Sequence, residues 1–89
     1  MMSDDVYGIL IHEYAKSPTR RVRFHIQEYR GTDYLDIREF YLDNEDAWRP
    51  TKKGITVRPH LYAEFLHGVV QSADHLGGDA SQLLQGDDP

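Results

Sequence analysis

The sequence predicts an α+β domain in the order β-β-β-β-α: a four-stranded, curved antiparallel sheet wound as a meander, then one C-terminal helix. Three observations carry that expectation. Residues 20–29, RRVRFHIQEY, alternate apolar and polar side chains with the period of two that a half-buried strand requires. The links between apolar runs are short and rich in turn formers: Ser17-Pro18, Arg30-Gly31-Thr32, and Asp43 to Asp46. From Leu61 onward the period changes, and Leu61, Phe65, Val69 and Ala73 recur every four residues, as on one face of a helix.

Each element follows from its residues. VYGILIHEY (6–14) reads as the first strand, with Tyr7, Ile9 and Ile11 on one face. In the second strand Val22, Phe24 and Ile26 point to the core. Arg21, Arg23, His25, Gln27 and Tyr29 then form a basic, aromatic-tipped outer face. Gly31 supplies the positive φ of a tight hairpin. The third strand, 33–42, has apolar groups of both parities (Leu35, Ile37 and Tyr41 against Tyr34, Phe40 and Leu42). That pattern fits a second buried face against a partner, or a bulge that switches register. WRPTKKGITV (48–57) is the fourth strand, bent or bulged at Pro50 and Gly54. Pro59 opens the helix and Gly77-Gly78 closes it. Residues 1–5 are expected to be a flexible N-terminus, 6–76 the domain, and 77–89 a disordered acidic tail.

Composition narrows the function. At 89 residues the chain is one domain. With no cysteine it has neither disulfides nor a thiolate metal site. It has no apolar run long enough to span a membrane, and MMSDD does not start a secretory signal, so a cytoplasmic, nucleoid or nuclear location is expected. The net charge of −5 is unevenly spread: all ten Lys and Arg lie between Lys16 and Arg58, where only seven acids accompany them. That segment is therefore locally basic, which is what phosphate binding needs. His12, His25, His60, His67 and His75 form no metal-ligand spacing with the acids. KKGIT lacks the upstream glycines of a phosphate loop, and no nucleophile elbow is present. No enzyme, metal or cofactor is expected.

One stretch is specific. Asp36-Ile37-Arg38-Glu39-Phe40, the acidic turn Asp43 to Asp46, Pro50-Thr51-Lys52-Lys53-Gly54-Ile55, and then Pro59 stand in this order and spacing. The sequence over about 20–75 resembles the positive cofactor 4 family of transcriptional coactivators. The resemblance implies a homodimer of β-β-β-β-α subunits that binds single-stranded DNA sequence-tolerantly across its sheets, a role in transcription or DNA metabolism, and contact with the transcription machinery. By matching position it implies Arg20, Tyr29, Arg30, Arg38, Tyr41, Lys52 and Lys53 as the binding residues. Tyr29 and Tyr41 replace a Phe and a Trp of the well-known eukaryotic member, and Thr32 stands where a hairpin lysine would be.

The chemistry of those residues suits that role, because single-strand binding needs cations along the backbone and flat rings on which bases stack. Arg21, Arg23 and Trp48 are secondary candidates on the same reasoning. Asp36 and Glu39 are expected to pair with Arg38 or neighbouring lysines. One helix covers only one face of a four-stranded sheet. Tyr62, Phe65, Leu66, Val69 and Val70, all within nine residues, are expected to form a dimer interface. Two alternatives remain open at this point: RNA as the ligand, and a dimeric protein-interaction module that binds no nucleic acid.

Overall fold

The structure, a computed structural model, describes residues 7–77. The expected flexible N-terminus and, apart from Gly77, the expected acidic tail lie outside the described residues. The chain divides into two units, Met1–Pro59 and His60–Pro89. The first holds β1 (Ile9–Ser17), β2 (Arg20–Tyr29), β3 (Thr32–Leu42) and β4 (Trp48–Val57); α1 runs from Pro59 to Leu76. The strands form one antiparallel sheet in the order β1-β2-β3-β4, a meander with β1 and β4 at its edges. The predicted fold class is the observed one.

Local sequence fixes the register. β2 and β3 pair without a break from Arg20↔Tyr41 to Tyr29↔Thr32. The turn between them is two residues long, and Arg30 (φ 54°) and Gly31 (φ 81°) both take positive φ. That is the turn whose twist matches two antiparallel strands. The β3–β4 link is built on Asp43, whose Oδ1 accepts the backbone N–H groups of Glu45 (2.8 Å) and Ala47 (2.9 Å). Asp46 turns the chain there with φ 63°. A side chain that accepts from the backbone just downstream is what makes Asp a turn former.

β1 departs from the expected strand. It begins at Ile9, two residues beyond Tyr7, because Gly8 takes φ 116° and breaks the extended run. A bulge between Leu10 and His12 then leaves Ile11 out of the ladder, so Tyr7, Ile9 and Ile11 do not share a face. Tyr7 instead folds over the sheet, its ring edge-on to His25 (4.8 Å) and Phe40 (5.3 Å).

The two faces of β2 also require correction. His25 and Arg23, expected outside, are buried, whereas Val22, Phe24 and Ile26 are only half-buried. Among the described residues of this unit, Arg23, His25, Asp36 and Phe40 are buried on one face of the sheet and Glu39 and Val57 on the other. Burying charge costs heavily unless it is paired, and each charge here has a counter-charge. Arg23 Nε donates to Glu13 Oε1 (2.8 Å), and its guanidinium lies over the rings of Phe40 (4.9 Å) and Trp48 (5.9 Å). Alternation alone sorts residues into two faces; it does not say which face is inside when cations have partners there.

α1 has the expected bounds. It ends where the Gly77 N–H donates to Ala73 O (2.8 Å) with Gly77 at φ 71°, a left-handed cap that glycine adopts without strain. No residue of α1 is buried, and its apolar stripe leaves Leu61, Tyr62, Leu66 and Val69 exposed.

Candidate nucleic-acid interface

The Asp-Ile-Arg-Glu and Lys-Lys-Gly blocks meet across β3 and β4. Asp36 is buried, and Arg38 reaches it with Nη2 on Oδ1 (2.8 Å) and Nε on Oδ2 (3.2 Å), while Nη1 donates to Thr51 O (3.0 Å). The Tyr7 hydroxyl completes the group by donating to Asp36 Oδ2 (2.8 Å). Burial and the adjacent carboxylate push the Tyr7 phenol up to about 12. Its hydrogen bonds to Asp36 hold the Arg38 proton more firmly still. Gly54 lies directly under the guanidinium: a Cβ there would stand 2.8 Å from Arg38 Cζ and 2.8 Å from Ile37 O. The motif glycine is thus a space requirement, letting an arginine lie flat on the β4 backbone.

Glu39 organises the neighbouring cluster. Its Oε1 accepts from Lys16 Nζ (2.6 Å) and its Oε2 from Arg20 Nη1 (2.7 Å). Those cations, Lys16 first, hold its carboxyl below the usual range, and Lys53 acts in the same direction. Arg20 also lies 5.9 Å from the centre of the Tyr41 ring, an exposed aromatic. Between β3 and β4 the ladder skips from Arg38↔Gly54 to Phe40↔Pro50, so residues 51–53 bulge opposite Glu39. Thr51 pins the bulge by donating to Glu39 O (2.8 Å) and accepting from the Lys53 N–H (3.1 Å). Lys52 and Lys53 are left exposed. An open hollow of about 270 Å³ beside them is floored by Val22, Ile37, Gly54 and Ile55.

Tyr29 stands at the far end of the sheet, exposed at the hairpin, with the Arg30 guanidinium 5.1 Å from its ring centre. Tyr34 carries Arg58 in the same way (5.7 Å). Trp48 lies under Arg21 (4.6 Å), and both Arg21 and Arg23 bond Glu13 (3.0 and 2.8 Å). Partial desolvation works upward on Glu13, but the two arginines outweigh it and its carboxyl sits low.

Beside the half-buried Trp48, the predicted arginines, lysines and tyrosines fall into three groups. Arg30, Lys52, Lys53, Tyr29 and Tyr41 are exposed. Arg20 and Arg21 are partly exposed but ion-paired. Arg38 and Arg23 are built into the sheet, as half-buried and buried members of ion pairs, rather than presented on its surface. The pairing of Asp36 with Arg38 is as expected; Glu39 takes Lys16 and Arg20. Sequence reasoning missed Tyr7, Glu13 and Lys16. Glu13 and Tyr7 carry a weak signal in the strand preceding the motif; nothing in the sequence announces that Tyr7 turns back over Asp36.

Known proteins are similar to this chain in sequence and fold. The profile of the family described as Transcriptional Coactivator p15 (PC4) matches residues 15–68. The RNA polymerase II transcriptional coactivator SUB1 of Saccharomyces cerevisiae is 40% identical over 45 residues, which is 49% of this chain and 15% of that protein. The chain thus spans a small part of that relative. Among solved structures, BPSL1147, a PC4 homolog from Burkholderia pseudomallei, is similar with a TM-score of 0.69 and 35% identity, over 74% of this chain and 89% of that one. MoSub1, solved in a complex with DNA, is similar with a TM-score of 0.51 and 27% identity over 88% of each chain. With more than half of its length matched and its motif blocks brought together as the β3–β4 core of a four-stranded sheet, this chain belongs to the Transcriptional Coactivator p15 (PC4) family.

Proposed function

We propose that this protein binds single-stranded DNA, without strong sequence preference, as a homodimer, and serves transcription or DNA metabolism where the DNA lies. The observation that carries the reading is the repeated pairing of an exposed ring with an arginine: Tyr29 with Arg30, and Tyr41 with Arg20. Each pair couples a flat surface for a base to a cation for the adjoining phosphate, the two things single-strand binding needs. Exposed Lys52 and Lys53 add charge beside Glu39 and Arg20. The DNA complex of the similar MoSub1 supports the same ligand class.

Geometry favours two copies. Tyr29 and Tyr41 belong to opposite parities of an unbroken β2–β3 ladder, so they face opposite sides of the sheet. Their rows are nine residues apart along β2, about 30 Å at the rise of a strand. One subunit presents the two rings on opposite sides of its sheet, and this supports a reading in which a second copy completes each track. The apolar stripe of α1, with Tyr62, Leu66 and Val69 exposed, Phe65 and Val70 half-buried and none of them fully buried, is the proposed dimer contact.

The test is fluorescence anisotropy with a labelled oligo-dT of about 20 nucleotides, long enough for two subunit surfaces. Binding that weakens with salt, survives duplex competitor, and disappears when Tyr29, Lys52 and Lys53 are replaced together by alanine is the expected result. Preferential displacement by RNA of the same length would transfer the reading to RNA. Absence of binding at low salt would discard it and leave a protein-interaction module.

A further inference from the structure

β1 carries a ring cluster ahead of the stretch matched to the family, which starts at residue 15. Tyr14 pairs with Val22, and Val22 with Glu39, so these three share one face of the sheet. The next row on that face holds Arg20 and Tyr41. On it the His12 ring stands edge-on to Phe24 (5.4 Å), and the Tyr14 ring leans on both, 6.4 Å from Phe24 and 6.5 Å from His12. Tyr14 nevertheless remains 51% exposed, more than Tyr41 at 37%. Tyr41 lies two strand spacings across and one two-residue step along from Tyr14, about 12 Å in a straight line. Arg20 lies on that path with Lys16 at its side, both anchored on Glu39. Counting Lys53, which also acts on Glu39, three cations share one carboxylate and the patch keeps a positive excess.

We propose that Tyr14 is a further base-stacking position, and that a single strand crosses this end of the sheet over Tyr14, Arg20 and Tyr41 with Lys16 on its phosphates. The inference rests on the reading of the protein as a single-strand binder and assigns it a contact that lies outside the family match. A nucleic-acid strand fits the patch better than a second copy does. The side chains of Lys16 and Arg20 remain 49% and 44% exposed beside the rings. A self-complementary contact near its axis would set those cations against their own counterparts, whereas interface cores are depleted of lysine. A phosphate backbone is complementary to the same charges.

The test uses the full chain and four proteins: wild type, Tyr14→Ala, Tyr14→Leu and Tyr14→Phe. Each is titrated with labelled oligo-dT, with sedimentation equilibrium alongside. Leucine keeps the packing on Phe24 without a flat ring, and phenylalanine keeps the ring. Loss of a stacked base is expected to raise Kd at least about fivefold in both Tyr14→Ala and Tyr14→Leu. Tyr14→Phe should bind within about twofold of wild type, with the oligomer mass the same throughout. Wild-type affinity in Tyr14→Leu, while the Tyr29, Lys52 and Lys53 triple variant loses binding, would overturn the assignment and spare the functional reading. Weakened binding accompanied by dissociation of the oligomer would also overturn it, making this face a contact between copies. A wild-type protein that binds no oligonucleotide would remove both readings together.

Discussion

Replacing Gly54 with alanine tests whether the family motif is built around one arginine. The added Cβ would stand 2.8 Å from Arg38 Cζ and 2.9 Å from Arg38 Nη1, distances that real Cβ atoms do not keep. It would also meet Ile37 O at 2.8 Å, so side chain and backbone must both move. The guanidinium is the softer of the two, and moving it opens the contact with Asp36, whose side chain is only 3% exposed. Breaking a buried ion pair from one side costs about 3–5 kcal/mol. Arg38 is displaced here rather than deleted, and Tyr7 still donates to Asp36, so about 2–3 kcal/mol is expected. For a domain of this size that lowers Tm by about 10–20 °C. Urea and thermal unfolding followed by circular dichroism, at fixed protein concentration, measure it. The decisive assay is a double-mutant cycle with Arg38→Met. If the glycine serves the arginine, Gly54→Ala should cost at least about 1 kcal/mol less in the Arg38→Met background than alone. Additivity within about 0.5 kcal/mol would refute the reasoning and assign the glycine to backbone geometry alone.

Two further outcomes follow from the same contacts. The Tyr7 phenol, raised to about 12 in the fold, stays protonated there while an unfolded chain ionises near its ordinary 10, so stability present below pH 10 is lost between about pH 10 and 12. Tyr7→Phe should cost about 1–2 kcal/mol at neutral pH for the lost bond to Asp36, and the gap to wild type should close across that alkaline window; a gap independent of pH would refute the coupling. In DNA titrations from 50 to 200 mM salt, log K against log[salt] should have a slope shallower than about −3 per subunit, the value for the four bases outside ion pairs, where ten freed bases would give about −7.

How much of this was legible depended on which physical signal each residue carries. The β2 alternation, the Arg30-Gly31 turn, the Asp43 turn and the α1 bounds each rest on local rules, and the structure follows them. β1 was misplaced because its phase is set by a left-handed Gly8 and a bulge at Ile11, neither of which disturbs the apolar pattern that identifies a strand. The inside of β2 was misassigned because period two has no sign. Arg23 and His25 are enclosed by Glu13, Tyr7, Phe40 and Trp48, residues far apart in the chain whose convergence only the folded register specifies. Resemblance placed Arg38 among the binding residues, but it could not tell that Asp36, Thr51 and the space above Gly54 hold this arginine in the sheet.

The ion pairs also explain how an acidic protein can offer a basic face. Lys16 and Arg20 lie on Glu39, Arg21 and Arg23 on Glu13, Arg38 on Asp36, and Arg49 on Asp43. Among the described residues Arg30, Lys52, Lys53 and Arg58 make no such pair, and the carboxylates of Glu13, Glu39 and Asp43 are all held below their usual range. Paired arginines are not lost to a ligand, because three of them lie over rings: Arg20 on Tyr41, Arg21 and Arg23 on Trp48, and Arg23 also on Phe40. Arg30 on Tyr29 and Arg58 on Tyr34 are stacked without a carboxylate. A carboxylate that fixes an arginine against a ring reduces the attraction for phosphate at long range but keeps the ring and cation in place for a base and its phosphate at contact. On the proposed function, such a surface would discriminate by stacking more than by charge. Duplex DNA offers phosphates with its bases already stacked on each other, whereas a single strand offers both groups. The proposed preference for unpaired strands would then rest on the same carboxylates that make the overall charge negative.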